Sequence, residues 1–161
     1  FWDNAYGMHH LFEAADEQDH LLDIARACAE AGNPDRCFKF ASTSKVTFPG
    51  AGISAMAASP ANIAEVKRCM GAQTIGHDKL NQLRHVRFLR DAEGLAEHMR
   101  KHAAILRPKF QLVVRKLEEG LADVGECAWS NPRGGYFVSF DAPEGNGCAR
   151  RGAGQGSRGL P

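Results

Sequence analysis

Cys37-Phe38-Lys39-Phe40-Ala41-Ser42-Thr43-Ser44-Lys45, followed at a short distance by Pro49-Gly50-Ala51-Gly52, is the stretch whose reading decides the fold. Cys37, Lys39 and Ala41 alternate with Phe38 and Phe40, and this short aromatic run predicts a strand over Arg36 to Ala41. Three hydroxyl residues and an amine then stand at the strand-to-loop junction. The glycines after Pro49 let the backbone pass close to a ligand, and Ser42, Thr43 and Ser44 offer hydroxyl donors for a phosphate. An amine held among such small residues is accessible to a flat aldehyde, as a Schiff-base lysine must be.

Upstream, Phe1-Trp2 followed by Asp3 reads as a strand ending in a polar tip, where ligand-facing residues of an α/β sheet stand. A chain opening on two aromatic residues reads as a strand cut from something longer. After an acidic connection from Glu13 to Asp19, the residues Leu21, Leu22, Ala25, Cys28 and Ala29 recur at helical spacing until Gly32-Asn33-Pro34. The order is therefore strand, helix, strand, with polar chemistry at both strand ends.

Downstream, Ser59-Pro60 predicts a helix start, with Ile63, Val66 and Met70 on one face before Gly71. Asp78 caps a second helix with Leu80, Leu83 and Val86, and Asp91 a third. In that third helix Leu95, Met99, Ala103, Leu106, Phe110, Val113, Leu117, Leu121 and Val124 recur at the helical period, and Pro108 is expected to bend or divide it. Cys127 to Ser130 and Tyr136 to Phe140 read as two strands joined by the turn Asn131-Pro132-Arg133-Gly134-Gly135. From Asn146 onward glycine and arginine dominate, and a disordered tail over 146–161 is expected.

Composition narrows the function. The 161 residues are 43% hydrophobic and 24% charged, enough for a sizeable core. The formal charge is +1, but Arg150, Arg151 and Arg158 lie in the tail, so the body is slightly acidic and is not expected to bind nucleic acid. Five cysteines without a C-x-x-C pair point to reduced thiols and a cytoplasmic location. No apolar run reaches the roughly 18 residues of a membrane span.

Asp3-x-x-Tyr6 on one strand end, with Ser42-x-Ser44-Lys45 and Pro49-Gly50-x-Gly52 on the next, resembles the fold type I pyridoxal-phosphate enzymes. Within them the likeness is to class I aminotransferases of an aspartate-aminotransferase-like subgroup, from Phe1 to about Gly145. The resemblance implies an α/β fold: part of a three-layer α/β/α large domain over 1–92, then over 93–145 a long interdomain helix and the start of an α+β small domain. It implies pyridoxal 5'-phosphate as cofactor, with Lys45 forming the aldimine and shuttling a proton, Asp3 pairing with the pyridinium nitrogen and Tyr6 donating to the ring oxygen. Ser42 and Ser44 would contact the phosphate. An amino acid, aspartate or another acidic one, and a 2-oxo acid are the implied substrates, and a homodimer the implied assembly of the full-length protein. Another fold type I reaction, decarboxylation or elimination, and the cofactor-sensing domain of a transcription regulator share these motifs.

The likeness has gaps. The family carries an arginine a few residues past the lysine, but Gly52-Ile53-Ser54 stand there and no arginine follows until Arg68. The other part of the large domain and a carboxylate-binding arginine are also absent, so the chain by itself is expected to be inactive. Pro132-Arg133-Gly134-Gly135-Tyr136-Phe137 resembles a small-domain strand entry, with Arg133 better explained by turn geometry than by substrate contact. Gln73-Thr74-Ile75-Gly76 corresponds to a region that approaches the neighbouring subunit's phosphate. His98 and His102, at i and i+4, lack the glutamate of a zinc-protease helix and are read as a solvated face, and His9 and His10 as polar loop residues near Asp3.

Overall fold

Two short extended segments bring Asp3 and Ser42 to the same end of one sheet. β1 (Trp2–Asp3) runs parallel to β2 (Lys39–Ser42), with Trp2 opposite Lys39 and Asp3 opposite Phe40. Trp2 N donates to the Phe38 carbonyl at 2.8 Å and Asn4 N to the Phe40 carbonyl at 2.7 Å. Parallel strands need a crossover, and α1 (Ile24–Glu30) supplies it. This helix starts later than its apolar spacing predicts: Asp23 accepts from Arg26 N as its cap, leaving Leu21 and Leu22 in the preceding loop with more than half their surface exposed. The computed structural model describes residues 1–142 apart from 124 and 126, so the expected tail over 146–161 lies outside the described residues.

β3 (Ser54–Ala57), a strand that the sequence reading lacks, pairs antiparallel with β2 and completes a sheet of order β1-β2-β3. Ser54, Ala55 and Ala57 have little strand preference of their own; the open edge of β2 recruits them. The loop between β2 and β3 holds Lys45, and Gly50 turns it with φ +78°.

The three capped helices form where expected. Ser59 caps α2 (Pro60–Gln73), Asp78 caps α3 (Lys79–Leu89) and Asp91 caps α4 (Ala92–Leu121). α2 continues past Gly71, where the sequence pattern places its end. α4 has 30 residues, about 45 Å at 1.5 Å per residue. Pro108 lies inside it without dividing it into two helices: only one amide donor is missing, and the hydrogen bonds on either side keep the helix continuous. The buried stripe of α4 passes through Met99, Ala103 and Val114; Val114 lies one position away from the predicted stripe, whose member Val113 is 45% exposed. Arg90, with φ 65°, makes the tight corner between α3 and α4, and Gly94 leaves room there for the Leu89 carbonyl.

β4 (Ala128–Trp129) and β5 (Phe140–Asp141) form an antiparallel pair, shorter than the two predicted strands, with Ser130 N donating to Ser139 O at 2.9 Å. The core is thin: among the described residues, the buried apolar side chains are Leu11, Cys37, Val46, Met99, Ala103 and Val114. Of these, Leu11 follows His9-His10 and Met99 follows His98 in sequence, while Val46 lies in the Lys45 loop itself. Cys28, Cys37 and Cys69 are free thiols as expected, whereas Cys127 is disulfide-bonded and departs from that reading. Among the described residues no helix is long and apolar enough to cross a membrane.

Candidate functional site

Asp3 ends β1 and Ser42 ends β2, so both stand at the carboxyl ends of parallel strands, where open α/β sheets bind ligands. They line one cleft of about 860 Å³, together with Gly52, Ile53 and residues of α2 and α3. One oxygen of Asp3, Oδ1, accepts from Ala5 N at 2.8 Å, which orients the carboxylate while leaving its other oxygen available. Lys45, Ser44 and Tyr6 are not part of the cleft wall. Lys45 lies three residues beyond Ser42 in the turn that follows β2, exposed, and its Nζ engages no partner among the described residues.

The turn is braced from within. Thr43 N donates to Ile53 O at 2.8 Å, and Ile53 N donates to Thr43 Oγ1 at 2.9 Å. Gly52 makes this closure possible: a Cβ there would stand 2.7 Å from Ser44 Oγ and 2.9 Å from Ser44 N. Ser44 thus faces Gly52, and Ser42 is the hydroxyl that reaches the cleft.

Histidines brace the turn from outside. His9, buried at 2% exposure, donates from Nε2 to the Lys45 carbonyl at 3.0 Å. His98 donates from Nε2 to the Val46 carbonyl at 2.7 Å, so it serves the loop and is not the solvated face expected of it. His85, also buried, donates through Nδ1 to Asn81 O at 2.9 Å, and its Nε2 meets the hydroxyls of Thr43 and Thr47 at 2.9 and 2.8 Å. Because a carbonyl only accepts, these contacts fix which ring nitrogen carries hydrogen in each histidine. The His102 ring lies tilted against His98 with centroids 4.6 Å apart; burial first, then the charges of His98 and His9, hold it below the ordinary histidine range.

Tyr6 joins the lysine through an aromatic cluster. Its ring lies 5.4 Å from Tyr136, 5.3 Å from Phe137 and 5.8 Å from His9. The Tyr136 hydroxyl donates to the Lys45 carbonyl at 3.5 Å. Burial, and then Tyr6, push that phenol above its ordinary value, so it keeps its proton. Tyr136 reaches this position because Gly134 and Gly135 pair with the histidine segment: His10 bridges Gly134, and Gly135 N donates to His9 O at 2.8 Å. A Cβ on Gly134 would stand 2.8 Å from His9 O. Arg133 donates from Nη1 to the Asp16 carbonyl at 3.2 Å, a contact far along the chain from its own turn. Sequence reasoning missed His9, His85, His98 and Tyr136 as parts of the site. Adjacent histidines and an aromatic residue after Gly-Gly were visible, but nothing local tells which carbonyl they meet.

Arg68, the first arginine after Lys45, is held on the exposed face of α2 by Glu65 at 2.7 and 2.9 Å, while its neighbour Lys67 lines the cleft with Asp3 and Ser42. No group of three metal-ligating side chains occurs among the described residues.

Residues 1–154 match the family described as aspartate amino-transferase. A protein of Mycolicibacterium smegmatis named as an aminotransferase is 48% identical over 140 residues, which are 87% of this chain and 32% of that protein. A solved aspartate transaminase of Corynebacterium glutamicum superposes with a TM-score of 0.79 at 44% identity, over 89% of this chain and 33% of that one. An α-aminoadipate aminotransferase of Thermus thermophilus, solved with N-(5'-phosphopyridoxyl)-L-leucine, gives 0.67 at 25% identity, over 89% and 34%. The chain thus spans about a third of the length of the relatives it matches, and its α/β architecture corresponds to part of theirs.

Proposed function

This chain belongs to the aspartate amino-transferase family, and from that premise we propose that it carries the lysine-bearing part of a pyridoxal-phosphate site. The proposed activity of the full-length protein is transfer of an amino group from an amino acid, aspartate or another acidic one, to a 2-oxo acid. A homodimer is the proposed assembly. The observation that carries the reading is the shared cleft of Asp3 and Ser42 at the carboxyl ends of β1 and β2, with Lys45 in the turn directly beyond.

The residues present fit the cofactor. The missing side chain at Gly52 leaves a backbone cradle beside Ser44, an oriented carboxylate and the Ser42 hydroxyl share the cleft, and an exposed amine lies three residues beyond Ser42. When bound, pyridoxal 5'-phosphate supplies an aldehyde that takes up the amino group and a ring that withdraws electrons. Asp3 would hold the proton on the ring nitrogen through its free oxygen. Tyr6 would donate from its hydroxyl to the ring oxygen, and Ser42, with Ser44, from theirs to the phosphate. Lys45 would hold the group covalently through Nζ and move the proton with the same atom. Ile53 stands in the region where the family has an arginine, and the cation in the cleft wall is Lys67.

A half-transamination assay on the full-length protein across a panel of amino acids tests the activity, with acidic donors expected to react fastest. In the same protein, Lys45→Ala should abolish both the cofactor's visible absorbance and the borohydride-reducible adduct. An unchanged adduct at another lysine would overturn the assignment.

A further inference from the structure

We propose that His9 is a positioning residue for Lys45, tying the backbone of the lysine to the segment that carries Asp3 and Tyr6. The inference rests on the reading of Lys45 as the cofactor-linking amine and deepens it. The Lys45 side chain is exposed, so packing does not fix where Nζ stands; the position of its peptide unit does. Within the turn, Val46 N and Thr47 N both return to Thr43 O, leaving the Lys45 carbonyl to side chains from elsewhere. His9 Nε2 meets it at 3.0 Å and Tyr136 Oη at 3.5 Å, so His9 makes the shorter contact.

His9 is suited to this task in three ways. It is 2% exposed, so water does not compete for its hydrogen. Its Nδ1 is buried with no hydrogen-bond partner, and the carbonyl at Nε2 only accepts, so the ring presents its Nε2 hydrogen to the lysine carbonyl. Its backbone is itself anchored, with His9 N donating to Tyr6 O at 3.0 Å and His9 O accepting from Gly135 N at 2.8 Å. Tyr6, Asp3 and His9 lie on one short segment, so this hydrogen bond sets the distance between the amine and the groups proposed to hold the ring. An error of about 1 Å in such a distance costs on the order of 100-fold in rate.

The test compares His9→Leu, which keeps bulk without a donor, with His9→Gln, whose amide NH₂ can stand where Nε2 does. Both are made in the full-length protein and checked for folding by thermal denaturation. The first readout is the fraction of Lys45 that forms a reducible adduct with added pyridoxal 5'-phosphate, measured by peptide mass spectrometry after borohydride reduction. The second is kcat and KM for the best donor. His9→Leu should lower adduct yield at Lys45 and reduce kcat about 10-fold or more with KM little changed, and His9→Gln should recover most of both. Equal behaviour of the two variants, whether both like wild type or both impaired, would show that the hydrogen bond does not position the lysine. Absence of any Lys45 adduct in the wild-type protein would instead remove the underlying assignment of the lysine.

Discussion

Replacing Gly52 with alanine probes the loop on which the whole site depends. The added Cβ would stand 2.7 Å from Ser44 Oγ, 2.9 Å from Ser44 N and 3.0 Å from Ser44 Cα. The hydroxyl can rotate away, but the two backbone atoms cannot, so residues 43–45 must shift. That shift loads the bonds closing the loop, Thr43 N to Ile53 O at 2.8 Å and Ile53 N to Thr43 Oγ1 at 2.9 Å. Overpacking of this kind costs about 1–3 kcal/mol. Gly71→Ala is the matched control: it lies within α2, nothing stands within 4 Å of its new Cβ, and the better helix former should add up to about 1 kcal/mol. Urea denaturation should therefore move the two midpoints in opposite directions, and the Gly52 variant should also lose reducible adduct at Lys45. A Gly52→Ala midpoint at or above wild type would refute the close backbone packing between Gly52 and Ser44.

Two further outcomes are expected. Asp3→Asn keeps an acceptor for Ala5 N but removes the charge, so the full-length protein should retain cofactor while turnover falls by about 100-fold; undiminished turnover in a steady-state assay would count against the role proposed for Asp3. For His102 the folded state binds a proton less readily than the unfolded chain, because burial and then His98 and His9 disfavour the charge. Its effect is absent above the unfolded value of about 6.5, and stability is lost as pH falls from there through the lower folded value. His102→Gln should accordingly flatten the fall in denaturation midpoint between about pH 7 and pH 5, and an unchanged slope would show that this histidine does not couple folding to pH.

Much of the helical architecture was legible because capping is local. Ser59, Asp78 and Asp91 each accept from a backbone amide three residues on, and each marks a helix start. Asp23 shows the limit of apolar spacing, since Leu21 and Leu22 match the helical period yet precede the cap. β3 was illegible for the opposite reason: three small residues and Met56 become a strand only because β2 offers an unpaired edge. On α4 the period was right and the face was off by one position at Val114, since neighbouring valines are indistinguishable to a periodicity and only packing chooses between them.

For the candidate site the division is similar. The sequence by itself determined which residues could do chemistry: Asp3 and Ser42 at strand ends, Tyr6 near one of them, and Lys45 with its glycines in a permissive loop. Those are properties of side-chain type and local backbone, and they survive without knowledge of the partners. Only the tertiary structure decided what holds the lysine in place. His9, His98 and Tyr136 come from a loop, a long helix and a turn after Gly-Gly, and they converge on two consecutive carbonyls. A carbonyl oxygen is the same in every residue, so no sequence pattern announces which one a distant imidazole will find; that pairing exists only once the chain has folded around it.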